Sequence, residues 1–502
     1  MKHVFFLWIA AACISFSLQG RVGVAQSPAH PFPNHTEYAA HIRPSGYTQE
    51  QLDAQAAAYY DAWKKIYLRN DCDDTSQYYV YFGDEAINVS EGTGYGMMIV
   101  VMMAGYDPDA HRIFDGLYRF SRAHPSRLNP RLMDWQQVTC HDPPSGDDDA
   151  ATDGDLDIAM ALLMAHEQWG SDGGIDYLEE ARALLAAIAG DEIHPVACTP
   201  LLGDWCDPSS PGYYHALRTS DIMPGHFRLF FRFTGDTLWQ RVADSSLALL
   251  ERVQHAYAPV TGLVPDFITG LDGAPAPAAP GFLEGDHDGD YYYNACRVPW
   301  RLGVAWLMTG DAQARRIALS LTAGVRERCG GEVTRLSSGY RLDGTPLYDW
   351  HDAAFSAPLA VGAMLDTLHP GWLDALYDDI TKENALDEYY SATLSMLALL
   401  VLSGNAWAPA AELPAARLPL TASSSALKIW PTVTRGPLTI LTNDGKNSHR
   451  TLAITTLTGQ TLLERKMNGA RWKLDLSSWS SGIYLVVLRD GPHLTVRKVV
   501  KE

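Results

Sequence analysis

The sequence predicts a large all-α domain followed by a small C-terminal all-β sandwich. Between residues 155 and 402, apolar residues recur at the spacing of helices that are buried on one face. Beyond residue 427, short alternating or β-branched runs are separated by turn residues, as in a small sandwich. The charge changes at the same point, from a net −29 over residues 26–427 to a net +7 over residues 428–502. Such asymmetry indicates two separate units.

The first element is predicted to be an export signal. Lys2 precedes an apolar run from Val4 to Ala12, and Gly23-Val24-Ala25 supplies the small residues of a cleavage site. Because the run is too short to span a bilayer, we expect residues 1–25 to be a signal peptide and the protein to be secreted or at the cell surface. A lipoprotein signal at Cys13 is the alternative, but it lacks Leu or Val three residues upstream. No membrane span is expected elsewhere.

The helical region consists of amphipathic segments joined by loops of unequal length. From Asp155 to Trp169, Ile158, Leu162 and Ala165 recur at helical spacing. Similar segments follow at 177–189, 237–254, 300–309, 314–327, 358–368 and 391–402. This pattern predicts an α/α architecture with a site built from loops on one face.

Six cysteines remain after the export signal: Cys72, Cys140, Cys198, Cys206, Cys296 and Cys329. An even number in an exported chain permits disulfides. Cys198 and Cys206 lie in one loop region and are the expected pair. No C-x-x-C spacing occurs, so a zinc site is not expected.

The tail begins after a Pro/Ala/Ser-rich linker, predicted over residues 407–427. Its opening, Trp430-Pro-Thr-Val-Thr-Arg-Gly-Pro-Leu-Thr-Ile, and its closing Gly482-Ile-Tyr-Leu-Val-Val-Leu with Lys498-Val-Val-Lys resemble the C-terminal sorting domain of type IX secretion substrates. The resemblance implies that residues 428–502 bind the type IX secretion machinery. A carbohydrate-binding module is the competing interpretation.

Three carboxylate-rich motifs are the candidate functional segments. In the first, three glycines within five residues would let the backbone turn tightly around one carboxylate. The second runs into the helix that ends at Trp169, so its acidic residues could simply favour a helix N-terminus. The third begins D-x-D-x-D, but Tyr291 stands where a calcium loop needs Gly, so no metal is expected. The motifs are Ser90-Glu-Gly-Thr-Gly-Tyr-Gly-Met97, Ala151-Thr-Asp-Gly-Asp-Leu-Asp-Ile-Ala159 and the run from Phe282 to Arg301, which contains Tyr293-Asn-Ala-Cys-Arg-Val-Pro-Trp-Arg301.

Together these motifs are similar to those of glycoside hydrolase family 8, over about residues 30–405. The resemblance implies an (α/α)6 barrel, predicted over residues 26–406, without a cofactor. It also implies inverting hydrolysis of β-1,4-linked glycans, whose substrates in the family are cellulose, mixed-linkage β-glucan, xylan and chitosan. We expect an endo-glucanase acting on β-1,4-glucan or mixed-linkage glucan, with an endo-chitosanase as the alternative.

The resemblance also suggests residue roles. Inverting hydrolysis needs one protonated carboxyl to assist the leaving oxygen and one carboxylate to activate water. Glu91 is expected to be the general acid, with a raised pKa. Asp153 is expected under the central sugar, with Arg297 orienting Asp153 or the base. Trp135 matches a stacking platform of a minus subsite, although a partly buried loop anchor would look the same; Trp205 and Asp221 are weaker cleft candidates.

The general base is less evident, because Asn294 stands where many family members have an Asp. An amide takes no proton at neutral pH, so Asn294 is expected only to help bind substrate. One subfamily, containing chitosanases as well as glucanases, looks the same here and uses a Glu from a preceding loop, which matches Glu284. The alternatives are Asp286, Asp288 and Asp290, or a solvated Glu284 with no role. A water between Glu284 and Glu91 requires the two carboxyls to stand roughly 6.5–9.5 Å apart.

Several other functions are disfavoured. The net charge of −20 opposes nucleic-acid binding. A serine hydrolase is disfavoured by the absence of a G-x-S-x-G motif. A polysaccharide lyase would act on uronates, which a segment of net charge −29 would repel. A glycan-binding protein without activity is the further alternative, if the catalytic pair is broken.

Overall fold

The computed structural model describes two compact units, divided between residues 412 and 413. The predicted export signal and most of the predicted linker lie outside the described residues. Those residues are 27–141, 149–382, 386–410, 427–430, 433–442, 450–456, 461–466, 471–490 and 493–501.

The first unit is helical, as the periodicity predicts. Its described residues form thirteen α-helices: α1 (Gln49–Tyr67), α2 (Ser90–Met102), α3 (Ala110–Ala123), α4 (Thr152–Trp169), α5 (Tyr177–Asp191), α6 (Pro211–Tyr214), α7 (Pro224–Thr234), α8 (Leu238–Tyr257), α9 (Val298–Thr309), α10 (Ala312–Arg328), α11 (Ala353–Ala363), α12 (Pro370–Ile380) and α13 (Tyr389–Leu402). None of the helices in the described ranges is both long and apolar enough to cross a membrane.

Short strands connect these helices. They form two antiparallel pairs, β1 with β2 and β3 with β4, and a three-stranded sheet in the order β5-β6-β7. Their bounds are β1 (Leu68–Arg69), β2 (Tyr79–Val80), β3 (Asn88–Val89), β4 (Gln136–Gln137), β5 (Leu217–Arg218), β6 (Phe267–Thr269) and β7 (Ala276–Pro277).

Helix packing forms a closed cycle. Helix α2 packs on α4, α4 on α7, α7 on α9, α9 on α11, α11 on α13, and α13 again on α2. A second set, α3, α5, α8, α10, α12 and α1, packs in the same order on these six helices. Nearly every residue of α2, α11 and α13 is buried. A helix that is apolar on all sides is stable only in such a core, which explains why these three helices lack a polar face.

One predicted helix is displaced. The segment 358–368 was expected to be helical, whereas α11 spans Ala353–Ala363. The helix starts earlier because the side chain of Asp352 accepts a hydrogen bond from the backbone N–H of Ala354 and caps the first turn. Pro358 lies inside the helix, where the periodicity alone suggested a start.

The glycines of the first motif have a different role from the expected one. Gly92, Gly94 and Gly96 lie within α2 and do not form a tight turn. A Cβ on Gly94 would stand 2.7 Å from the Cβ of Asp157 on α4, and one on Gly96 would stand 2.5 Å from Val80 Cγ2. Real Cβ atoms do not approach neighbours this closely, so these glycines allow α2 to pack tightly against its neighbours.

The predicted disulfide is wrong. Cys72 and Cys140 are bridged, whereas Cys198 and Cys206 carry free thiols. The segments holding Cys72 and Cys140 meet in space, and beside them His141 contacts Asp73 at 3.2 Å. Cys206 is instead buried in an apolar cluster with Leu201, Leu202 and Phe267. Nearness in sequence was therefore a poor guide to the pairing.

The second unit consists of strands, as predicted for the tail. They form a three-stranded sheet in the order β13-β10-β8 and a five-stranded sheet in the order β12-β11-β14-β15-β9. Side chains from both sheets, including Ile440, Ile454 and Val486, share one apolar core. The strands are β8 (Leu427–Trp430), β9 (Val433–Thr434), β10 (Pro437–Thr442), β11 (Arg450–Thr456), β12 (Thr461–Lys466), β13 (Arg471–Asp475), β14 (Gly482–Asp490) and β15 (His493–Lys501).

Candidate active site

Glu91 lies in the first turn of α2, with its side chain only 16% exposed. One carboxyl oxygen, Oε2, accepts a hydrogen bond from Arg297 Nη1 at 2.6 Å, and the other, Oε1, accepts one from the Tyr389 hydroxyl at 3.0 Å. Burial raises the pKa of Glu91 to about 7, in spite of the opposing charge of Arg297. This carboxyl can therefore hold a proton near neutral pH.

Asp153, in the first turn of α4, shares the same guanidinium. Its Oδ2 accepts a hydrogen bond from Arg297 Nη1 at 2.8 Å. Burial opposes ionisation, but the charges of Arg297 and Arg218 outweigh it and hold the pKa of Asp153 below its usual value. Arg297 thus joins one carboxyl with a raised pKa to one with a lowered pKa.

Asn294 continues this network from Arg297 toward the loop that precedes α9. Arg297 Nη2 donates to Asn294 Oδ1 at 3.0 Å, and Asn294 Nδ2 donates to Glu284 Oε2 at 2.7 Å. The buried carboxylate of Asp266 fixes Asn294, since it accepts hydrogen bonds from the backbone N–H groups of Tyr292, Asn294 and Ala295. The orientation of the Asn294 amide is therefore determined by its hydrogen bonds with Arg297 on one side and Glu284 on the other.

Glu284 lies at the open side of the network, with its side chain 47% exposed. Its Oε1 accepts a hydrogen bond from Arg218 Nη2 at 2.8 Å. Partial burial would raise the pKa of Glu284, but the Arg218 charge and the hydrogen bonds from Arg218 and Asn294 hold it below its usual value. Glu284 is thus an accessible carboxylate that stays ionised at pH values at which Glu91 is protonated.

The loop that presents Glu284 is shaped by Asp288. The Asp288 carboxylate is buried and accepts hydrogen bonds from the backbone N–H groups of Leu283, Glu284 and Gly285. Asp290 is paired with His287 at 2.9 Å. Two of the three acidic alternatives to Glu284 are therefore engaged in holding the loop.

Arg218, Asp266 and Tyr389 were not singled out from the sequence. Arg218, on β5, also stands 3.6 Å from Asp221 Oδ2, so Asp221 joins the site through this arginine. Asp221 is fully buried, and burial raises its pKa to about 7. The only sequence signal for Arg218 was its position three residues before Asp221.

The two tryptophans predicted to contact substrate differ in their surroundings. Trp135 is 38% exposed, and its backbone carbonyl accepts a hydrogen bond from the N–H of Ser90, the residue before Glu91. Trp205 is partly buried, with its ring 5.3 Å from that of Tyr213, which lies 5.3 Å from Phe282. Trp205 therefore belongs to a row of aromatic rings that reaches the Glu284 loop.

Asp157, the last acidic residue of the second motif, has a separate role. Both of its oxygens accept hydrogen bonds from Arg301, at 2.8 and 2.6 Å, and His226 Nε2 lies 2.9 Å from Oδ1. This buried group links α4, α7 and α9 behind the site. In the described part of the chain, no group of three or more His, Cys, Asp or Glu side chains could hold a metal ion.

The structure thus connects Glu91, Asp153, Arg297, Asn294 and Glu284 in one hydrogen-bonded network. The model of Glycosyl hydrolases family 8 matches residues 46–404 of the chain, which contain all five residues. The chain belongs to this family. A second match, to the Secretion system C-terminal sorting domain, covers residues 428–502. The protein is accordingly a glycoside hydrolase that is secreted or at the cell surface.

Curated relatives cover most of this family 8 hydrolase. A "Beta-glucanase" of Niallia circulans is 36% identical over 400 residues, which is 80% of this chain and 96% of that protein. An "Endoglucanase" of Bacillus sp. (strain KSM-330) is 35% identical over 401 residues, covering 78% of this chain and 84% of that protein.

Solved structures agree with the helical fold. A beta-1,3-1,4-glucanase from Paenibacillus sp. X4, solved in its apo form, has a TM-score of 0.73 and 37% identity, covering 76% of this chain and all of that one. Rex8A from Paenibacillus barcinonensis, solved with xylose, has a TM-score of 0.60 at 22% identity, covering 74% and 97% of the two chains. At that identity the second likeness concerns the fold alone.

Proposed function

We propose that this hydrolase is an inverting endo-glucanase acting on β-1,4-glucan or mixed-linkage β-glucan. The observation that carries the proposal is the pair of carboxyls with opposite pKa shifts, Glu91 raised to about 7 and Glu284 lowered, joined through Arg297 and Asn294. Pairs of this kind divide the acid and base roles of glycoside hydrolysis. The glucanase relatives support the choice of substrate.

Glu91 is the proposed general acid. Its proton would pass to the glycosidic oxygen as the bond to the leaving sugar breaks, and the aglycone hydroxyl would depart neutral. The Tyr389 hydroxyl and Arg297 hold the two carboxyl oxygens in place before the reaction. Such fixed partners keep the proton donor oriented without reorganisation during the reaction.

Glu284 is the proposed general base, and Asn294 its positioning partner. Glu284 would take a proton from a water that attacks the anomeric carbon from the face opposite the leaving oxygen. The Asn294 amide has no proton-accepting role, but its Nδ2 donates to Glu284 and favours the ionised form. Asp153 is proposed to contact the hydroxyls of the central sugar, with Trp135 and Trp205 contacting neighbouring sugars.

The fold and the domain boundaries are proposed with the function. The closed cycle of six helices, each carrying an outer helix, supports an (α/α)6 barrel over residues 26–406. Residues 1–25 are proposed as the cleaved export signal and residues 407–427 as the linker. The sorting domain, residues 428–502, is proposed to bind the secretion machinery.

Chitosan is the alternative substrate, because the acidic run Asp286, Asp288 and Asp290 of the third motif could attract a cationic glycan. In the structure the Asp288 carboxylate accepts hydrogen bonds from backbone N–H groups, and Asp290 is paired with His287. Both carboxylates therefore already have partners within the loop. Glucan therefore remains the preferred substrate.

A panel of soluble polysaccharides tests the substrate class. We expect reducing sugar to be released from barley β-glucan and carboxymethylcellulose, with Glu91→Gln as the inactive control. Activity confined to xylan would contradict the glucanase proposal, and activity confined to chitosan would favour the alternative.

The pH dependence tests the role proposed for Arg218. Because its charge lowers the pKa of Glu284, Arg218→Met should raise that pKa and move the acidic limb of the kcat/KM profile to higher pH, by about one pH unit. The basic limb, which reports loss of the Glu91 proton near pH 7, should move less. Arg218→Lys retains the charge and serves as the matched control. An unchanged acidic limb in Arg218→Met would refute the role.

A further inference from the structure

A pocket lies beside the proposed catalytic groups and takes no part in the proposed acid–base chemistry. Its volume is about 450 Å³. Its lining includes two aromatic residues, one of them from the third motif, and four carboxylates: Tyr293, Trp350, Asp352, Asp379, Asp387 and Glu388. We call it the Trp350 pocket.

The Trp350 pocket adjoins the active site through two of its walls. Tyr293 immediately precedes Asn294, and its hydroxyl donates to Asp352 at 2.5 Å. Glu388 immediately precedes Tyr389, whose hydroxyl donates to Glu91. A chain bound at the proposed acid could therefore continue into this pocket.

The pocket and Trp135 lie on opposite sides of the helix cycle. Trp135 belongs to the connection that enters α4, between α2 and α4 of the cycle, whereas Trp350 belongs to the connection that enters α11, between α9 and α11. In a cycle of six helices these two positions face each other across the centre. A glycan that contacts Trp135 at one end would pass the catalytic network and reach Trp350 at the other.

Trp350 has the features of a preformed stacking surface. Its side chain is 49% exposed, and its ring lies 4.9 Å from that of Tyr348 at an interplanar angle of 32°. The Tyr348 hydroxyl in turn lies 3.2 Å from that of Tyr292. An indole supported in this way loses little conformational entropy when a ligand covers it.

The carboxylates of the pocket are of two kinds. Asp379 is paired with His351 at 2.9 Å and Lys382 at 2.6 Å, so its charge is compensated. Asp387 and Glu388 are exposed, and neither carboxylate has a hydrogen-bond or ion-pair partner among the residues that the structure describes. These two side chains remain free to accept hydrogen bonds from a ligand with several hydroxyl groups.

We propose that the Trp350 pocket binds a pyranose unit of the glycan on the leaving-group side of the scissile bond. The apolar face of the sugar stacks on Trp350, and its hydroxyls donate to Asp387 and Glu388. The proposal rests on the proposed function, in which Trp135 contacts the glycan on the other side. Binding energy gained at this remote unit would help to position the bond at Glu91.

Substrate length provides the test. Steady-state kinetics of Trp350→Ala are measured on barley β-glucan, which can fill the pocket, and on an aryl β-cellotrioside, whose leaving group carries no sugar to fill it. We expect kcat/KM on β-glucan to fall about tenfold, corresponding to ~1.4 kcal/mol, with less than about a twofold change on the aryl substrate. Trp350→Phe should restore most of the loss. Tyr257→Ala, which removes an exposed aromatic ring at the end of α8, is the matched control and should change neither value.

The outcomes separate the two proposals. Unchanged kinetics of Trp350→Ala on β-glucan would overturn the pocket proposal but not the proposed function. Equal losses on both substrates would also overturn it, because they would indicate a structural role for Trp350. If the wild-type protein is inactive on both substrates, the result would contradict the proposed function and, with it, the pocket proposal. Asp387→Asn combined with Glu388→Gln should reproduce part of the selective loss on β-glucan.

Discussion

Glu91→Gln is expected to lower kcat on β-glucan by about 10³-fold or more, because the amide supplies no proton to the leaving oxygen. Gln has nearly the same shape as Glu and can still contact Tyr389 and Arg297, so the fold and glycan binding should be retained. An aryl glycoside with a good leaving group needs little protonation and should lose far less activity. The measurement compares kcat on the two substrates for wild type and variant.

The control for this experiment is binding. Affinity for a cello-oligosaccharide, measured by calorimetry, should change little in Glu91→Gln. Equal losses of kcat on β-glucan and on the aryl glycoside would show that Glu91 is not the proton donor. The basic limb of the wild-type pH profile should lie near pH 7, since burial raises the pKa of Glu91 to about that value.

Glu284→Ala is expected to abolish turnover of β-glucan and of the aryl glycoside alike, since both need an activated water. The loss should be about 10³-fold or more. Asn294→Ala removes a hydrogen-bond donor to Glu284 and an acceptor for Arg297, but no group that takes a proton, so it should weaken activity much less. Steady-state kinetics on both substrates provide the measurement.

Asp286→Asn is the matched control, because Asp286 lies two residues away on the same exposed loop. It should retain nearly full activity. If Glu284→Ala is fully active, Glu284 is not the general base. If Asp286→Asn is inactive, the base role belongs to Asp286 instead.

The sequence predicted the parts of the site that lie in short continuous motifs. Glu91, Asp153 and Arg297 each belong to one motif, and the structure connects them by hydrogen bonds. Arg218 and Asp266 could not be found in this way. Each acts on a residue far along the chain: Arg218 on Glu284, 66 residues later, and Asp266 on Asn294, 28 residues later. Such contacts depend on helix packing that local spacing does not specify.

The wrong predictions about the glycines and the disulfide also arise from contacts between residues that are far apart in the sequence. The glycines around Glu91 suggested a turn because their tight neighbours, Val80 and Asp157, lie on other elements. The bridge between Cys72 and Cys140 closes a separation of 68 residues, whereas the expected pair was chosen by proximity. Helical periodicity, in contrast, is a local property, and it predicted the helical domain well.

The stereochemistry of the first product tests the central claim most directly. If Glu91 donates the proton while a water activated by Glu284 attacks from the opposite face, a single displacement inverts the anomeric carbon. Proton NMR during the first minutes of β-glucan hydrolysis should then show the α-anomer accumulating before mutarotation. Initial formation of the β-anomer would contradict the account, because it would require a covalent intermediate and a second displacement.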